Sequence, residues 1–269
     1  MEELFERAIA FFTDKGVTRG VAIAYIIVSA LLIVMAVIAL IMRIIVMYKY
    51  FDGNKMQTSG GRTCMDVARQ ALDEAGLKDV KVKRAGFFRA LFFGNSYSLS
   101  KKTIFLRGTI AKKSSITAVG IAMQKVGIAK LINSGDKMAL TRNRLQVISL
   151  FGPILLIPVI LIGAIIDIVL FRVLGTFSIV AMVVDGVILF AGIVVTLLNM
   201  PVEKKGNNMA LEMIEKSNIL TEEEKIVIRK VFDAYMMAYI CEFIMAILRV
   251  VQLILEIVMN VQISNSSKE

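Results

Sequence analysis

The stretch VAIAYIIVSALLIVMAVIALIMRIIVM, residues 21–47, decides the class of this protein. It is apolar almost without a break, and Arg43 is the one charged residue in it. A helix needs about 20 apolar residues to cross the hydrocarbon layer of a membrane. The segment before it is acidic and no small-residue cleavage site follows it, which argues against a removable signal peptide. We therefore expect residues 21–48 to form a membrane anchor.

Three further stretches have the length and apolar character of a membrane span. They cover residues 147–170, 177–200 and 234–260. The composition agrees, because 57% of the 269 residues are hydrophobic, whereas soluble domains contain about 45–50%. We expect a mainly α-helical membrane protein with four transmembrane helices.

The distribution of basic residues predicts the orientation of these spans. Residues 1–20 contain 3 Lys/Arg, whereas residues 49–146 contain 19 and residues 201–233 contain 6. Positively charged residues are enriched on the cytoplasmic side of membranes. We therefore expect the segments 49–146 and 201–233 in the cytoplasm, and both termini, including the tail 261–269, outside. The setting that fits is the plasma membrane of a prokaryotic cell.

The formal net charge of +10 has two interpretations. The favoured one is that it records this topology, and the other is attraction of the basic segments to anionic lipid heads. The expected partner in either case is the lipid bilayer. No nucleic-acid-binding module is recognisable, so no nucleic-acid partner is expected. Cys64 and Cys241 are too far apart in the predicted topology to form a disulfide.

The segment 49–146 is predicted to be a small cytoplasmic α+β domain. Thr63 is placed to cap a helix that ends at Gly76. Residues 79–84 alternate like a half-exposed strand, and residues 103–107 form a second short strand candidate. A further helix is expected over residues 114–132.

Two other local patterns stand out in the hydrophilic segments. The sequence TEEE, residues 221–224, predicts a capping box that opens a helix running into the fourth span. A cluster of apolar side chains in the α+β domain favours core or membrane-facing packing over a ligand site. Its members are Phe87, Phe88, Leu91, Phe92 and Phe93.

Four segments, in this order along the chain, carry a family resemblance. They are TSGGRTCMDVARQALDEAGLKDVKVKR (58–84), NSYSLSKKTIFL (95–106), SITAVGIAMQKVGIA (115–129) and NMPVEKKGNNMAL (199–211). Together with the four-span layout, they resemble the family of membrane-anchored neutral zinc metallopeptidases of the YugP type. The resemblance covers most of the chain after the first span.

The resemblance implies where a zinc site would lie. The third segment aligns with a family run that ends in A-A-H-E-x-G-H-A, with Gly127 kept. Gln124 and Ile128 then stand at the two histidine positions, and Lys125 stands at the glutamate that acts as general base. The fourth segment places Glu203 at the third ligand position.

The departures from the family pattern concern its chemistry. An H-E-x-x-H helix holds zinc with two imidazoles and deprotonates the metal-bound water with its glutamate. The chain has no histidine, glutamine is a poor zinc ligand and isoleucine is none. Protonated Lys125 would repel zinc. We therefore expect a degenerate member with no catalytic residues, no metal and no cofactor.

Loss of the metal would leave Glu203 without its cation. Taken by itself, Glu203 is slightly more readily interpreted as a solvated charge at the start of a helix than as the partner of a replacement cation. If the fold is kept, we hypothesise that the Lys125 ammonium, or failing that Lys204 or Lys205, pairs with Glu203, and that Ile128 fills part of the emptied volume.

Three charged residues of the fourth span, Glu242, Arg249 and Glu256, recur at intervals of seven and share one helix face. Charges at membrane depth are costly and usually face protein or water. Internal ion pairing is the favoured interpretation of this face, and a contact face for another membrane protein is the alternative.

Two functions remain for a chain of this kind. The first is a pseudopeptidase, acting as a scaffold, regulatory or substrate-capturing subunit of a membrane protein assembly. Its partner would be an active family member, another membrane protein or a second copy of the chain. The alternative is an active membrane peptidase with a rebuilt, non-histidine site.

Overall fold

The computed structural model describes residues 2–171, 176–217 and 219–266. The last three residues of the predicted tail lie outside these ranges. The described elements are the helices α1 (Glu2–Thr13), α2 (Arg19–Lys55), α3 (Cys64–Glu74), α4 (Phe87–Phe93), α5 (Ile116–Asn133), α6 (Lys137–Ile166), α7 (Thr176–Ser217) and α8 (Glu222–Ser266), a π-helical turn (Asp167–Phe171), and the strands β1 (Lys81–Arg84), β2 (Ser96–Ser98) and β3 (Thr103–Leu106).

Contacts divide the chain into two units. The first unit comprises Met1–Ile44 and Ala238–Glu269, and the second comprises Ile45–Met237. The second unit contains the sheet and the helices α3 to α7, and it carries all the residues that the family resemblance singles out.

The sheet of the second unit has three strands in the order β1-β3-β2. Strands β1 and β3 are parallel, with Lys81 opposite Thr103 and Arg84 opposite Leu106. Strand β2 is antiparallel to β3 and adds the third strand. The predicted strands at residues 79–84 and 103–107 are thus confirmed, and β2 is an addition that the sequence does not signal.

Helix α5 lies in the centre of the second unit. Every residue from Ile116 to Ala129 is buried, so the helix is enclosed on all sides. The hydroxyl of Ser115 accepts the backbone N–H of Ala118 and caps the first turn. A predominantly apolar helix that is buried on all sides belongs in a core, and α5 is therefore the central element of this unit.

Local start and stop signals place the other helices of this unit. The Thr63 hydroxyl accepts the backbone N–H of Asp66, and Gly76 follows α3 with a φ of +74°. Thr221 and Glu224 form the predicted capping box, since each side chain accepts the backbone N–H of the other residue. The predicted helix starts at Thr63 and Thr221 are confirmed.

Three helices in the described part of the chain are long and apolar enough to cross a membrane. They cover Arg19–Lys55, Gly186–Ser217 and Glu222–Ile263. The predicted second span, 147–170, falls mostly on α6, where most side chains are outside the described part, so the four-span layout stays a prediction.

Helix α7 extends beyond residue 200, where the predicted third span ends. It continues for 42 residues through Pro201. A proline lacks the N–H that would bond the carbonyl four residues earlier, and it usually ends or kinks a helix. Helices in membrane proteins tolerate proline because neighbouring groups satisfy the freed carbonyl. The continuity places Glu203 inside α7, not at the start of a new helix.

Candidate functional site

Helices α5 and α7 come into close contact at two glycines. A Cβ atom on Gly127 would lie 2.6 Å from the backbone oxygen of Gly206. A Cβ atom on Gly206 would lie 2.7 Å from Cγ1 of Ile128. Neither position therefore has room for a side chain. The contact fixes the face of α5 that carries Gln124, Lys125 and Ile128 against α7.

Glu203 is the centre of a buried charge cluster. Its side chain is 0% exposed, and both of its carboxylate oxygens accept hydrogen bonds from cations. Nη2 of Arg142 lies 2.6 Å from Oε1, and Nζ of Lys125 lies 3.3 Å from Oε2. The hypothesised pair between Lys125 and Glu203 is therefore present, and the favoured interpretation of Glu203 as a solvated charge is wrong.

Arg142, from α6, is a second cation on Glu203 that the sequence does not reveal. Its Nε atom donates to Oδ1 of Asn199 at 2.9 Å, so one guanidinium joins two residues of α7. Arg142 is separated from Glu203 by 61 positions, and no local pattern links the two. Arginine suits this position because its planar fork of donors remains charged when buried.

Two asparagines of α7 extend the cluster. Asn199 and Asn207 stand four positions before and after Glu203, so all three lie on one helix face. Nε2 of Gln124 donates to Oδ1 of Asn207 at 2.6 Å, while Nδ2 of Asn207 is buried and has no hydrogen-bond partner among the described residues. This i, i+4, i+8 row of polar residues is visible in the sequence, but its link to the site comes from the residues that face it on α5 and α6.

Burial and the two neighbouring charges shift the pKa of Lys125 in different directions. Loss of solvation lowers the pKa of its ammonium group, and the positive charge of Arg142 lowers it further. The carboxylate of Glu203 raises the pKa in return. The cluster joins two basic groups to one acid. Glu203 opposes the effect of burial, and the pKa of Lys125 remains below its ordinary value.

The alternative cations for Glu203 lie elsewhere. Lys205 is bound to Asp136 at 2.5 Å, and Lys204 is exposed. Ile128 is 1% exposed and packs against α7 at Gly206, which agrees with its expected role as an apolar filler.

The charged residues of α8 at intervals of seven lie in the first unit. Oε1 of Glu242 is 3.8 Å from the guanidinium of Arg43, and Glu256 accepts the hydroxyl of Tyr25 at 3.2 Å. Arg249 is exposed and bonds to a glutamine of its own helix. The two glutamates thus have partners on α2, and Arg249 is the member of the set that remains at the surface of the chain.

Comparison with known proteins relates this arrangement to a family. The family described as "Putative neutral zinc metallopeptidase" matches residues 27–258. The "Putative membrane protease YugP" of Bacillus subtilis (strain 168) is 23% identical over 203 residues, which are 75% of this chain and 84% of that protein. No solved structure matches the chain.

The zinc ion that this family implies does not fit the residues present. A protein zinc site needs at least three nitrogen, sulfur or oxygen ligands. Both carboxylate oxygens of Glu203 already accept hydrogen bonds from Lys125 and Arg142. Gln124 and Ile128 supply an amide and an alkyl group, and the two nearby cations would repel zinc.

The rest of the described chain offers no substitute ligand set. Within residues 2–171, 176–217 and 219–266, no group of three or more His, Cys, Asp or Glu side chains could hold a metal ion. Cys64, which could serve as a soft ligand, is fully buried and donates its thiol to the Ile110 carbonyl at 3.1 Å.

Proposed function

The chain belongs to the neutral zinc metallopeptidase family that matches its residues 27–258, and we propose that it is a member without metal or catalysis. We assign to it the role of a non-catalytic subunit of a membrane protein assembly. The observation that carries this proposal is the fully buried Glu203 carboxylate, which is bound by Lys125 and Arg142.

The loss of catalysis follows from the chemistry of these side chains. Zinc-dependent hydrolysis requires a metal-bound water and a base that takes its proton. In the proposed register, Lys125 replaces that base, and a protonated amine cannot accept a proton. Gln124 is hydrogen-bonded to Asn207 and directed to α7, and Ile128 has no donor atom at all.

The cluster also supplies a reason why the fold survives without zinc. In a zinc site the metal would join the two helices that carry its ligands. Here Lys125 of α5 and Arg142 of α6 are both bound to Glu203 of α7, so three helices meet at one carboxylate. The close contact at Gly127 and Gly206 adds packing to these ion pairs.

A scaffold, regulatory or substrate-capturing subunit is the role that suits such a chain. It is a membrane protein with long apolar helices and a folded α+β domain that could contact another protein. An active relative, another membrane protein or a second copy is the proposed partner. The proposed contact residue on α8 is Arg249, because it is exposed. Glu242 and Glu256 already have partners on α2.

An activity assay of the purified full-length protein in nanodiscs tests the proposal. Unfolded casein is supplied as substrate with zinc in excess, and the E203Q variant serves as the matched control. We expect no proteolysis that a chelator abolishes, and no difference between the two proteins. Chelator-sensitive cleavage that is lost in E203Q would establish the alternative, an active peptidase with a rebuilt site.

A further inference from the structure

The short helix α4 presents an uncovered apolar face. Among residues 57–137, all of which the structure describes, the exposed large hydrophobic side chains are four residues of this helix. Their exposed fractions are 76% for Phe87, 74% for Phe88, 61% for Leu91 and 39% for Phe92. The spacing i, i+1, i+4, i+5 puts them on one face of the helix.

The opposite face of α4 is attached to the sheet. The Arg89 guanidinium lies 3.8 Å from the centroid of the Phe105 ring on β3, and Nε of Arg107 donates to the Ala90 carbonyl at 3.2 Å. These contacts hold the helix in place from its inner side. The two exposed phenylalanine rings contact each other edge to face, with centroids 5.6 Å apart. The apolar face is therefore a fixed feature of the domain surface.

The surroundings of this face are strongly basic. Between Asp79 and Asp136 the sequence has eleven Lys/Arg residues and no acidic residue. Lys83, Arg84 and Arg107 are exposed, and Arg107 borders α4 directly. The Arg84 guanidinium lies against Gly108, next to Arg107. The segment that carries α4 is thus basic, and it has no carboxylate of its own to neutralise these side chains.

We propose that α4 is a membrane-surface anchor that inserts its apolar face into an anionic bilayer. Phenylalanine and leucine side chains on one helix face, together with nearby basic residues, are typical of helices that bind the headgroup region of anionic membranes. Arginine matches lipid phosphate because its guanidinium donates two parallel hydrogen bonds. The domain is also covalently joined to membrane-spanning helices, so a bilayer is always near it.

A second copy of the chain is a less suitable occupant of the same face. Pairing two α4 helices through their apolar faces would bring the basic segments of both copies close together. Like charges in such an arrangement repel each other. Anionic lipid removes this repulsion, whereas a second copy increases it.

Tryptophan fluorescence provides a direct test because the chain contains no tryptophan. The F88W variant of the full-length protein is reconstituted in nanodiscs made of anionic lipid that is brominated near the head of its acyl chains. Nanodiscs expose both membrane faces, so the result does not depend on the topology. The matched control is E74W, at an exposed position of α3.

Bromine should quench F88W at least about twofold more strongly than E74W, since interfacial helices lie about 5–10 Å deep in the headgroup region. The difference in quenching between F88W and E74W should decrease in zwitterionic nanodiscs. It should also decrease when F88W carries the substitutions K83E and R84E. Quenching of F88W no stronger than that of E74W would overturn the proposal. A blue-shifted but unquenched F88W spectrum would do so as well, because it would mean that protein covers α4. Thermal unfolding curves that match the parent protein establish that each variant is folded.

Discussion

The ammonium nitrogen of Lys125 lies 3.3 Å from a carboxylate oxygen of Glu203, in a part of the protein where Glu203 has no exposure to solvent. The two residues belong to different helices and are separated by 78 positions. A buried carboxylate that loses a charged partner remains desolvated without compensation, which is costly. The stability of the fold should therefore depend on the cations around Glu203.

Replacing Lys125 with methionine should destabilise the protein. The Arg142 guanidinium stays on the carboxylate, so we expect the loss of one hydrogen bond to a charged group, about 1.5–3 kcal/mol of unfolding free energy. K113M is the matched control, since Lys113 is exposed. Chemical unfolding of both variants in the same detergent measures the difference. Equal stability of K125M and K113M would show that the pair contributes nothing.

Replacing Arg142 with methionine should cost more than replacing Lys125. Arg142 makes the shorter contact with Glu203, at 2.6 Å, and it also binds Asn199. Removing one partner of a buried pair typically costs about 3–5 kcal/mol. The unfolding free energies of R142M and K125M, measured side by side, check this order. If K125M is the less stable of the two, Lys125 is the main counter-ion and the assignment here is wrong.

The contact between α5 and α7 should be intolerant of a single methyl group. In G127A the new Cβ would meet the Gly206 backbone oxygen at 2.6 Å, so the helices would have to move apart. Overpacking of this kind typically costs about 1–3 kcal/mol. G186A in α7 is the control, because in the described part of the chain no atom lies within 4 Å of a Cβ there. G127A should unfold at a lower temperature than G186A, and the reverse order would contradict the close contact.

Cys64 should be chemically inert in the folded protein. Burial raises the pKa of its thiol from the ordinary value of 9.0 to about 12, so almost no thiolate exists near neutral pH. Because the unfolded thiol releases its proton at lower pH than the folded one, this group reduces stability as the pH rises from about 9 towards 12. Alkylation of the C241A variant, monitored by mass spectrometry at pH 8, should require denaturant. Rapid modification of the native protein would contradict the burial of Cys64.

The proposed topology can be tested with introduced cysteines. The contrast between 3 basic residues in segment 1–20 and 19 in segment 49–146 is the basis for proposing that the first segment lies outside the cell and the second inside. S266C should react with a membrane-impermeant thiol reagent in intact cells, whereas K113C should react only after the cells are lysed. Labelling of K113C alone in intact cells would invert the proposed orientation.

The sequence anticipated part of the fold because several of its signals are local. The caps at Thr63 and Thr221 and the strands at β1 and β3 follow from neighbouring residues, and the structure has all four. Strand β2 was missed because Ser96–Ser98 is too short to show a pattern. The continuity of α7 past residue 200 was not predicted because the end of an apolar stretch marks the end of a span and not the end of a helix.

The candidate site was predictable only where the resemblance aligned distant segments. That alignment led to the pairing of Lys125 with Glu203, which no local pattern would indicate. Arg142 was missed because contacts between helices distant in sequence depend on packing geometry. The polar row of Asn199, Glu203 and Asn207 was present in the sequence, but its i, i+4 spacing gains meaning only once the residues facing α7 are known.

The metal content of the purified full-length protein tests the central claim most directly. The protein is expressed in zinc-supplemented cells and purified without chelator, alongside E203Q, and the zinc per chain is measured by mass spectrometry. Because Lys125 and Arg142 bind both carboxylate oxygens of Glu203 and repel a dication, we predict no stoichiometric zinc in either protein. One zinc per chain in the parent protein, lost in E203Q, would contradict this account.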